Sequence, residues 1–288
     1  MAELVNGGKS DINITLNTDI DLTGKDWTPI GTDYDNSYKG TFDGGGHTIT
    51  GLTFTTNDEY AGLFGWLGKA GTVKNVVMEG VQITKNHSSG FAGGVVGYSL
   101  GTIENCSVSG SVSGTVYVGG VVGAQIDGSI TGCSSSATVK GMVDVGGVAG
   151  QTNGNATLTA CYATGNVIIE IDPVKNISGG GLVGMNGGKC VRACYATGNV
   201  TSTGSSTGNV HIGGFLGNNY ANVMTACYWK NNHEQGIGYN KKSTQATKVD
   251  GTDVTWQKAV DAMNTALQTA GSKWRYELNG ALPTLRKQ

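Results

Sequence analysis

One motif recurs through most of the chain and limits the folds that are open to it. A five-residue core ends in Gly-apolar-apolar-Gly and occurs six times, at 61–65, 93–97, 119–123, 146–150, 180–184 and 213–217. The last glycines of successive cores are 26 to 34 residues apart. Recurrence at such intervals is typical of proteins that stack one supersecondary unit on the next. The sequence therefore predicts a stack of about six similar units.

A second fixed position follows each core by about ten residues. It holds valine in the first unit and cysteine in the other five: Val76, Cys106, Cys133, Cys161, Cys194 and Cys227. Residues 161–167 and 194–200 even share the identical sequence CYATGNV. Because two fixed points define a common register, we expect equivalent residues of successive units to lie above one another.

The stretches between the cores have the composition of short β-strands. They are rich in Val, Ile and Thr, alternate partly between apolar and polar residues, and are broken by Gly, Asn and Ser. Glycine supplies 49 of the 288 residues, which suits many tight corners, but it does not follow the every-third-residue rule of collagen. We predict an all-β chain that forms a right-handed parallel β-helix, or β-solenoid, of about six coils. The right hand follows from the usual crossover preference.

Both flanks of the repeats are predicted to act as caps within one structural domain. Residues 1–59 would form an N-terminal leader with a β cap, 60–230 the β-helix, and 231–288 a C-terminal cap. In the C-terminal cap, apolar residues at 4-3-4-3 spacing predict a helix over about 255–270, and Asn-Gly predicts a hairpin over about 274–285. Because the open ends of a β-helix invite aggregation, we expect the helix to cover the last coil.

The repeats resemble a known motif. The segment GGLVGMNGGKCVRACYATGNV at 180–200 resembles the GLUG repeat of bacterial surface and secreted proteins, which include IgA-specific metallopeptidases and adhesin-like proteins. The segments at 16–31 and 38–52 are similar to the leader that usually precedes these repeats. The resemblance implies a secreted or cell-surface protein. Because such leaders tend to begin further upstream, we expect a longer parent protein with further domains and with a signal sequence outside these residues.

The repeated cysteines are predicted to be structural. One cysteine per coil, at one position, indicates an inward ladder of buried thiols in which Val76 fills the first place. Parallel neighbours about 4.8 Å apart lie beyond the reach of a disulfide, whose Cβ atoms are at most about 4.5 Å apart. Cys190 lies outside the ladder and could be reactive or paired.

The residue after each cysteine is predicted to face outward, because successive strand residues point to opposite sides. These residues are Ser107, Ser134, Tyr162, Tyr195 and Tyr228. The last three coils would expose a tyrosine stripe with Trp229 beside it. Two interpretations are open. The stripe is either a ladder that stabilises the stack or an aromatic platform that binds sugar rings or a protein partner.

A second candidate site is the loop DYDNS at 33–37. Asp33, Asp35 and Asn36 bring together oxygen atoms of the kind that calcium prefers. The loop lacks the terminal Glu of an EF-hand, and Asp and Asn are also common in ordinary turns. Apart from this calcium site, the sequence predicts no cofactor.

The cores themselves pose a geometric problem. Each core holds two adjacent apolar residues, such as Val95 and Val96, although strict alternation would expose one of them. Either the chain bends between the two residues, or the outer one packs against another part of the molecule.

Charge and motifs limit the possible functions. Net charge is −2, charged residues make up 14%, and no basic run occurs, so we expect no nucleic-acid partner. No stretch has the ~18 apolar residues needed to cross a membrane, so we expect no membrane insertion. The sequence also lacks H-E-x-x-H and phosphate-loop motifs.

We therefore predict a non-catalytic, adhesin-like module of a secreted or cell-surface bacterial protein. It would bind a host or matrix glycan or protein, or act as a rigid spacer. The alternative is a polysaccharide-active β-helix enzyme, either a lyase or a hydrolase. Three or more acidic or basic side chains that converge on one groove would favour this alternative.

Overall fold

Four parallel sheets run along a solenoid in the computed structural model, which describes residues 1–221 and 223–288. Each full coil visits the sheets in a fixed order. In one coil, Thr102–Glu104 lies in sheet 1, Ser107–Ser113 in sheet 2, Tyr117–Gly119 in sheet 3 and Val122–Gln125 in sheet 4. The predicted all-β parallel β-helix is confirmed.

The strand bounds in the described residues are as follows. Sheet 1 contains Ile14–Thr15, Thr41–Asp43, Thr72–Lys74, Thr102–Glu104, Ser129–Thr131, Thr157–Thr159, Cys190–Arg192 and Val223–Thr225. Sheet 2 contains Ile20–Asp21, Thr48–Thr50, Thr53–Thr56, Val77–Lys85, Ser107–Ser113, Ser134–Ser135, Thr138–Gly141, Tyr162–Ala163, Val167–Glu170, Tyr195–Ala196, Val200–Thr203, Tyr228–Trp229 and Thr247–Lys248. Sheet 3 contains Tyr60–Ala61, Phe91–Gly93, Tyr117–Gly119, Asp144–Gly146, Ile177–Gly180 and Val210–Gly213. Sheet 4 contains Phe64–Leu67, Val96–Ser99, Val122–Gln125, Ala149–Thr152, Val183–Asn186, Leu216–Asn219 and Ile237–Asn240.

The stack has about seven turns, and it extends further than the predicted range of 60–230. The leader contributes strands at 14–15 and 41–43 to sheet 1, and the C-terminal region adds a last partial coil at 237–240 and 247–248. Much of the predicted leader and the first part of the predicted C-terminal cap are therefore coils themselves. A short helix, α1 (Ala2–Asn6), lies beside the first coil with Val5 fully buried.

The glycine-rich core is the corner between sheets 3 and 4. Val95 and Val96 are both fully buried, and their backbone N–H groups donate to the same carbonyl oxygen, that of Val121, at 2.9 and 3.1 Å. Residues 121 and 122 repeat this arrangement with Val148. The chain thus bends between the two apolar residues, so that both lie inside the bend.

Close approach of the backbones explains why these corners use glycine. A Cβ atom on Gly123 would lie 2.5 Å from the carbonyl oxygen of Gly97 and 2.7 Å from the backbone nitrogen of Ala92. No side chain fits between backbones at this separation.

The chain returns along the side of the stack after its last coil. Helix α2 (Trp256–Thr269) is capped at its N-terminus by Thr255, whose side chain accepts a hydrogen bond from the N–H of Lys258. A hairpin follows, in which Trp274–Glu277 pairs with Thr284–Lys287. We call α2 and this hairpin the lateral cap.

The lateral cap is at the predicted position in the sequence, but it is not confined to the last coil. It packs on the outer side of three coils, against Ala160, Ala193, Tyr195 and Tyr228. The tyrosines offer a broad apolar surface on the side of the stack, so burying it favours this placement. Neither helix in the described part of the chain is long and apolar enough to span a membrane.

Candidate functional site

The structure places the cysteine ladder in the core. Val76 and the five ladder cysteines are at most 2% exposed. The N–H of Cys106 donates to Sγ of Cys133, and that of Cys161 donates to Sγ of Cys194, each at 3.4 Å. Burial raises the pKa of the Cys161 and Cys227 thiols, so these groups stay protonated and unreactive. The ladder is therefore part of the packed core.

Cys190 lies on sheet 1, outside the ladder, and its side chain is half-buried. All six cysteines, each within the described residues, are free thiols. Burial also raises the pKa of Cys190.

The tyrosine stripe is not the open platform that the sequence suggested. Tyr195 is 1% exposed and Tyr228 is 9% exposed, because the lateral cap packs on them. The hydroxyl of Tyr195 donates to the carbonyl oxygen of Pro283 in the hairpin turn. Trp229 is 7% exposed and belongs to the inner core, since it follows an outward residue. The prediction of an exposed stripe is therefore wrong for these three residues.

Tyr162 is the exception, because it lies at the edge of the covered surface. One face of its ring stacks on Tyr195, with centroids 4.9 Å apart and planes within 3°. The residue on its other side, in the preceding coil, is Ser134. A serine is too small to cover an aromatic ring, so the second face of Tyr162 stays open.

A groove begins at this open face. We call it the serine groove. Its lining includes Asn75, Val77, Glu79, Asn105, Ser107, Ser109, Ser134, Ser136, Tyr162, Thr164, Trp274 and Leu285. It consists of two adjoining cavities of about 270 and 120 Å³ that share Val77, Ser107, Ser134 and Tyr162. The groove exists because the outward row of sheet 2 changes from serine to tyrosine at residue 162.

The lateral cap supplies one wall of the groove. Trp274 of the hairpin lies directly over Gly132, where a Cβ atom would come within 2.2 Å of the indole ring. Nζ of Lys287 bonds the Glu104 carboxylate at 2.6 Å and anchors the end of the hairpin. The indole wall is therefore built from a distant part of the chain.

An amide ladder supplies the adjacent rim. Nδ2 of Asn105 donates to Oδ1 of Asn75 at 2.8 Å, and Nδ2 of Asn75 donates to the Asp43 carboxylate at 2.9 Å. Both asparagines lie at the corner between sheets 1 and 2 with positive φ, 55° for Asn75 and 51° for Asn105. Asn tolerates this conformation better than most residues. The amides are thereby held at fixed positions beside the groove.

The serine groove combines groups that suit an uncharged polyhydroxylated ligand. Hydroxyls and amides can exchange hydrogen bonds with ligand hydroxyls, and the open face of Tyr162 can pack against an apolar ring face. Glu79 is the single carboxylate among the lining residues. In residues 1–221 and 223–288, no three His, Cys, Asp or Glu side chains are grouped so that they could hold a metal ion.

The predicted calcium loop is a hydrogen-bonded turn. The Asp33 carboxylate accepts bonds from the backbone N–H of Asn36 at 2.9 Å, from its side-chain amide at 3.1 Å and from the Thr32 hydroxyl at 2.9 Å. The N–H of Asn36 is the main cause of the lowered pKa of Asp33. Asn36 therefore presents a donor to Asp33, and Asp35 is exposed beside them.

A further group of residues was missed at the sequence level. An aromatic cluster lies on sheets 3 and 4 of the first coils and on the adjoining 33–37 loop, and it comprises Tyr34, Tyr60, Trp66, Phe91, Tyr98 and Tyr117. Two positions beside the core could have revealed it. The residue after the last core glycine is Trp66 and then Tyr98, while Phe91 and Tyr117 stand two positions before the first glycine of their cores.

Comparison with protein families matches the GLUG motif at residues 90–113 and 114–140. Each matched stretch contains one of the glycine-rich cores. The chain therefore carries GLUG repeats, as the sequence predicted.

Two curated relatives match part of the chain. Halomucin from Haloquadratum walsbyi is 42% identical over 101 residues, which are 35% of this chain and 1% of halomucin. A candidate Gly-rich membrane protein from Evansella cellulosilytica is 39% identical over 97 residues, 31% of this chain and 11% of that protein. The matches thus span about a hundredth and about a tenth of these relatives.

A solved structure shares the fold. It is that of a candidate immunoglobulin A1 protease from Bacteroides ovatus, with a TM-score of 0.71 and 20% sequence identity. The match covers 99% of this chain and 89% of that chain.

Proposed function

We propose that this chain is a non-catalytic β-solenoid module of a surface protein and that it binds a neutral glycan in the serine groove. The GLUG repeats and a relative named as a membrane protein support a location of this module at the cell surface. The carrying observation for binding is the open ring face of Tyr162 above a floor of Ser107 and Ser134.

The groove lining favours binding over cleavage. Glycoside hydrolysis generally uses a pair of carboxyl groups on opposite sides of the scissile bond. Glu79 stands alone among the lining residues, and the lining contains no Lys, Arg or His. A sugar in this groove would meet hydrogen-bonding groups and an aromatic face, but only one acid.

One substitution tests the binding proposal. Ser134→Tyr would add a ring beside Tyr162 and fill the groove while leaving the core untouched, because residue 134 is only partly buried on the outer side. The matched control is Ser111→Tyr, the same change on the outer side of sheet 2 but outside the groove. Retention of the purified protein would be measured on immobilised neutral plant and host glycans.

We expect wild type and Ser111→Tyr to be retained on the same glycans and Ser134→Tyr to lose this retention. Equal retention of all three proteins would refute the groove as the site. Retention of none would leave the module as a rigid spacer. Release of shortened or unsaturated sugars would instead establish the polysaccharide-active alternative.

A further inference from the structure

A second cleft lies beside the first coils and shares no residue with the serine groove. It has a volume of about 400 Å³ and is lined by Tyr34, Asp35, Ser37, Lys39, Trp66, Gly68, Lys69, Ala70 and Leu100. We call it the aromatic cleft. Its walls come from the 33–37 loop and from the corners after sheet 4 of the next two coils.

Two rings at a right angle form one side of the aromatic cleft. Tyr34 meets Trp66 edge to face, with centroids 6.0 Å apart and planes at 83°. Tyr34 is 68% exposed, which is unusual for a large aromatic side chain. Trp66 packs against Tyr60 and Tyr98, with ring centroids 4.8 and 4.2 Å away, respectively. The corner therefore combines a fixed ring with an accessible one.

The loop behind Tyr34 holds its backbone in place. The Asp33 carboxylate bonds the Asn36 N–H, and the Ser37 hydroxyl donates to the carbonyl oxygen of Tyr34 at 2.8 Å. Ser37 is 2% exposed, so this bond is shielded from water. The exposed ring thus projects from an ordered turn. Ligand binding therefore carries a smaller entropic cost for ordering this loop.

Charge on the cleft indicates the kind of ligand. The lining carries two ammonium groups, Lys39 and Lys69, against one carboxylate, Asp35. Within residues 1–221 and 223–288, Lys39 takes part in no ion pair. Lys69 is 81% exposed and pairs with Asp127 at 3.0 Å. An exposed pair of this kind is worth little, so the ammonium group can exchange partners.

We propose that the aromatic cleft binds an acidic sugar residue, a pyranose that carries a carboxylate. The apolar face of the sugar ring would pack on Tyr34 and Trp66, and the carboxylate would accept a charge-assisted hydrogen bond from Lys39. This inference goes beyond the proposed function, since it concerns other residues and another ligand class. A chain with both sites would hold two different glycan segments at once.

The test uses isothermal titration calorimetry with trigalacturonate as the probe and maltotriose as its neutral counterpart. The test variants are Tyr34→Ala and Lys39→Glu, both at exposed side chains and therefore compatible with folding. The matched controls are Tyr220→Ala, at a tyrosine that is also exposed but lies elsewhere, and Lys25→Glu.

We expect trigalacturonate to bind wild type and both controls with the same affinity and to bind more weakly as salt is added. Each test variant should weaken binding by about tenfold or more, the effect of one lost charge-assisted or aromatic contact. Ser134→Tyr should leave this binding unchanged, so failure of the serine groove and failure of the aromatic cleft are distinguishable.

Three results would overturn the proposal. They are no binding of trigalacturonate to wild type, unchanged affinity in both Tyr34→Ala and Lys39→Glu, and equal affinity for maltotriose. The last result would exclude recognition of the carboxylate in particular.

Discussion

Residues at one position of successive coils differ, and each difference changes the local chemistry. The outward row of sheet 3 begins with Tyr60, Phe91 and Tyr117 and then changes to Asp144 and Ser178. Asp144 is only 7% exposed, and burial raises the pKa of its carboxyl to about 6, with a smaller opposing effect from the Ser178 hydroxyl. One coil therefore carries an acid in a site that favours its neutral form.

This acid predicts a pH dependence of stability. The pKa of Asp144 rises on folding from its ordinary 3.8 to about 6, so its neutral form favours the folded state below pH 4. That contribution is lost as pH rises through 6, at a cost of up to about 3 kcal/mol. We expect Asp144→Asn, which cannot ionise, to be more stable than wild type at pH 7.5 by an amount that becomes small at pH 4. Urea unfolding at both pH values measures this difference.

Asp26→Asn is the control, because Asp26 is exposed. Its stability relative to wild type should be nearly the same at pH 4 and pH 7.5. If Asp144→Asn behaved like this control, the carboxyl of Asp144 would be ionised in the folded protein at little cost.

At the scale of secondary-structure elements, the contact between Trp274 and Gly132 determines how the lateral cap packs on the stack. Gly132 has a φ of 67°, and the indole of Trp274 occupies the space where a side chain would be. The hairpin can lie flat on the stack only because this corner carries no Cβ atom. Other corners of the same row carry Asn or Ala at positive φ, so glycine is required here by the hairpin and not by the turn alone.

We predict that Gly132→Ala loosens the hairpin. The added Cβ would lie 2.2 Å from the Trp274 ring, which must shift. We expect a loss of about 1 to 3 kcal/mol in unfolding free energy from this overlap, together with faster tryptic cleavage at Arg275. Gly80→Ala is the matched control, since Gly80 has a φ of 65° and nothing within 4 Å of its Cβ position.

The control should lose only the cost of a left-handed alanine, about 1 kcal/mol, with unchanged cleavage at Arg275. Equal effects of the two substitutions would mean that Trp274 does not depend on Gly132. Combining Gly132→Ala with Trp274→Ala should remove the extra loss, because the overlap is then absent.

At the scale of the whole molecule, the stacked coils could be predicted from the sequence because the core motif and the ladder position recur in each repeat. Each core and each ladder cysteine indicates the same register. An ambiguous assignment in one repeat is therefore resolved by the other repeats. For Val95 and Val96 the sequence left two alternatives open, because strand alternation assumes a straight chain. The structure shows the first of them, a bend that places both side chains inside.

The candidate site was predictable only in part. The step from Ser134 to Tyr162 is visible in the sequence, but its meaning depends on which outward residues the lateral cap covers. That placement brings Pro283 onto Tyr195, residues 88 positions apart along the chain. The amphipathic pattern of α2 indicates that one face is buried, but it carries no information about the surface on which that face packs.

The central claim is that outward residues of neighbouring coils lie directly above one another, with an open ring face of Tyr162 above residue 134. A double-mutant cycle between Ser134→Tyr and Tyr162→Ala, followed by urea unfolding, tests it most directly. We predict that tyrosine at position 134 stabilises the protein through stacking, with a coupling of about 0.5 to 1.5 kcal/mol that disappears when Tyr162 is alanine. A coupling of zero, with Ser134→Tyr equally neutral or harmful in both backgrounds, would contradict the register and the groove that depends on it.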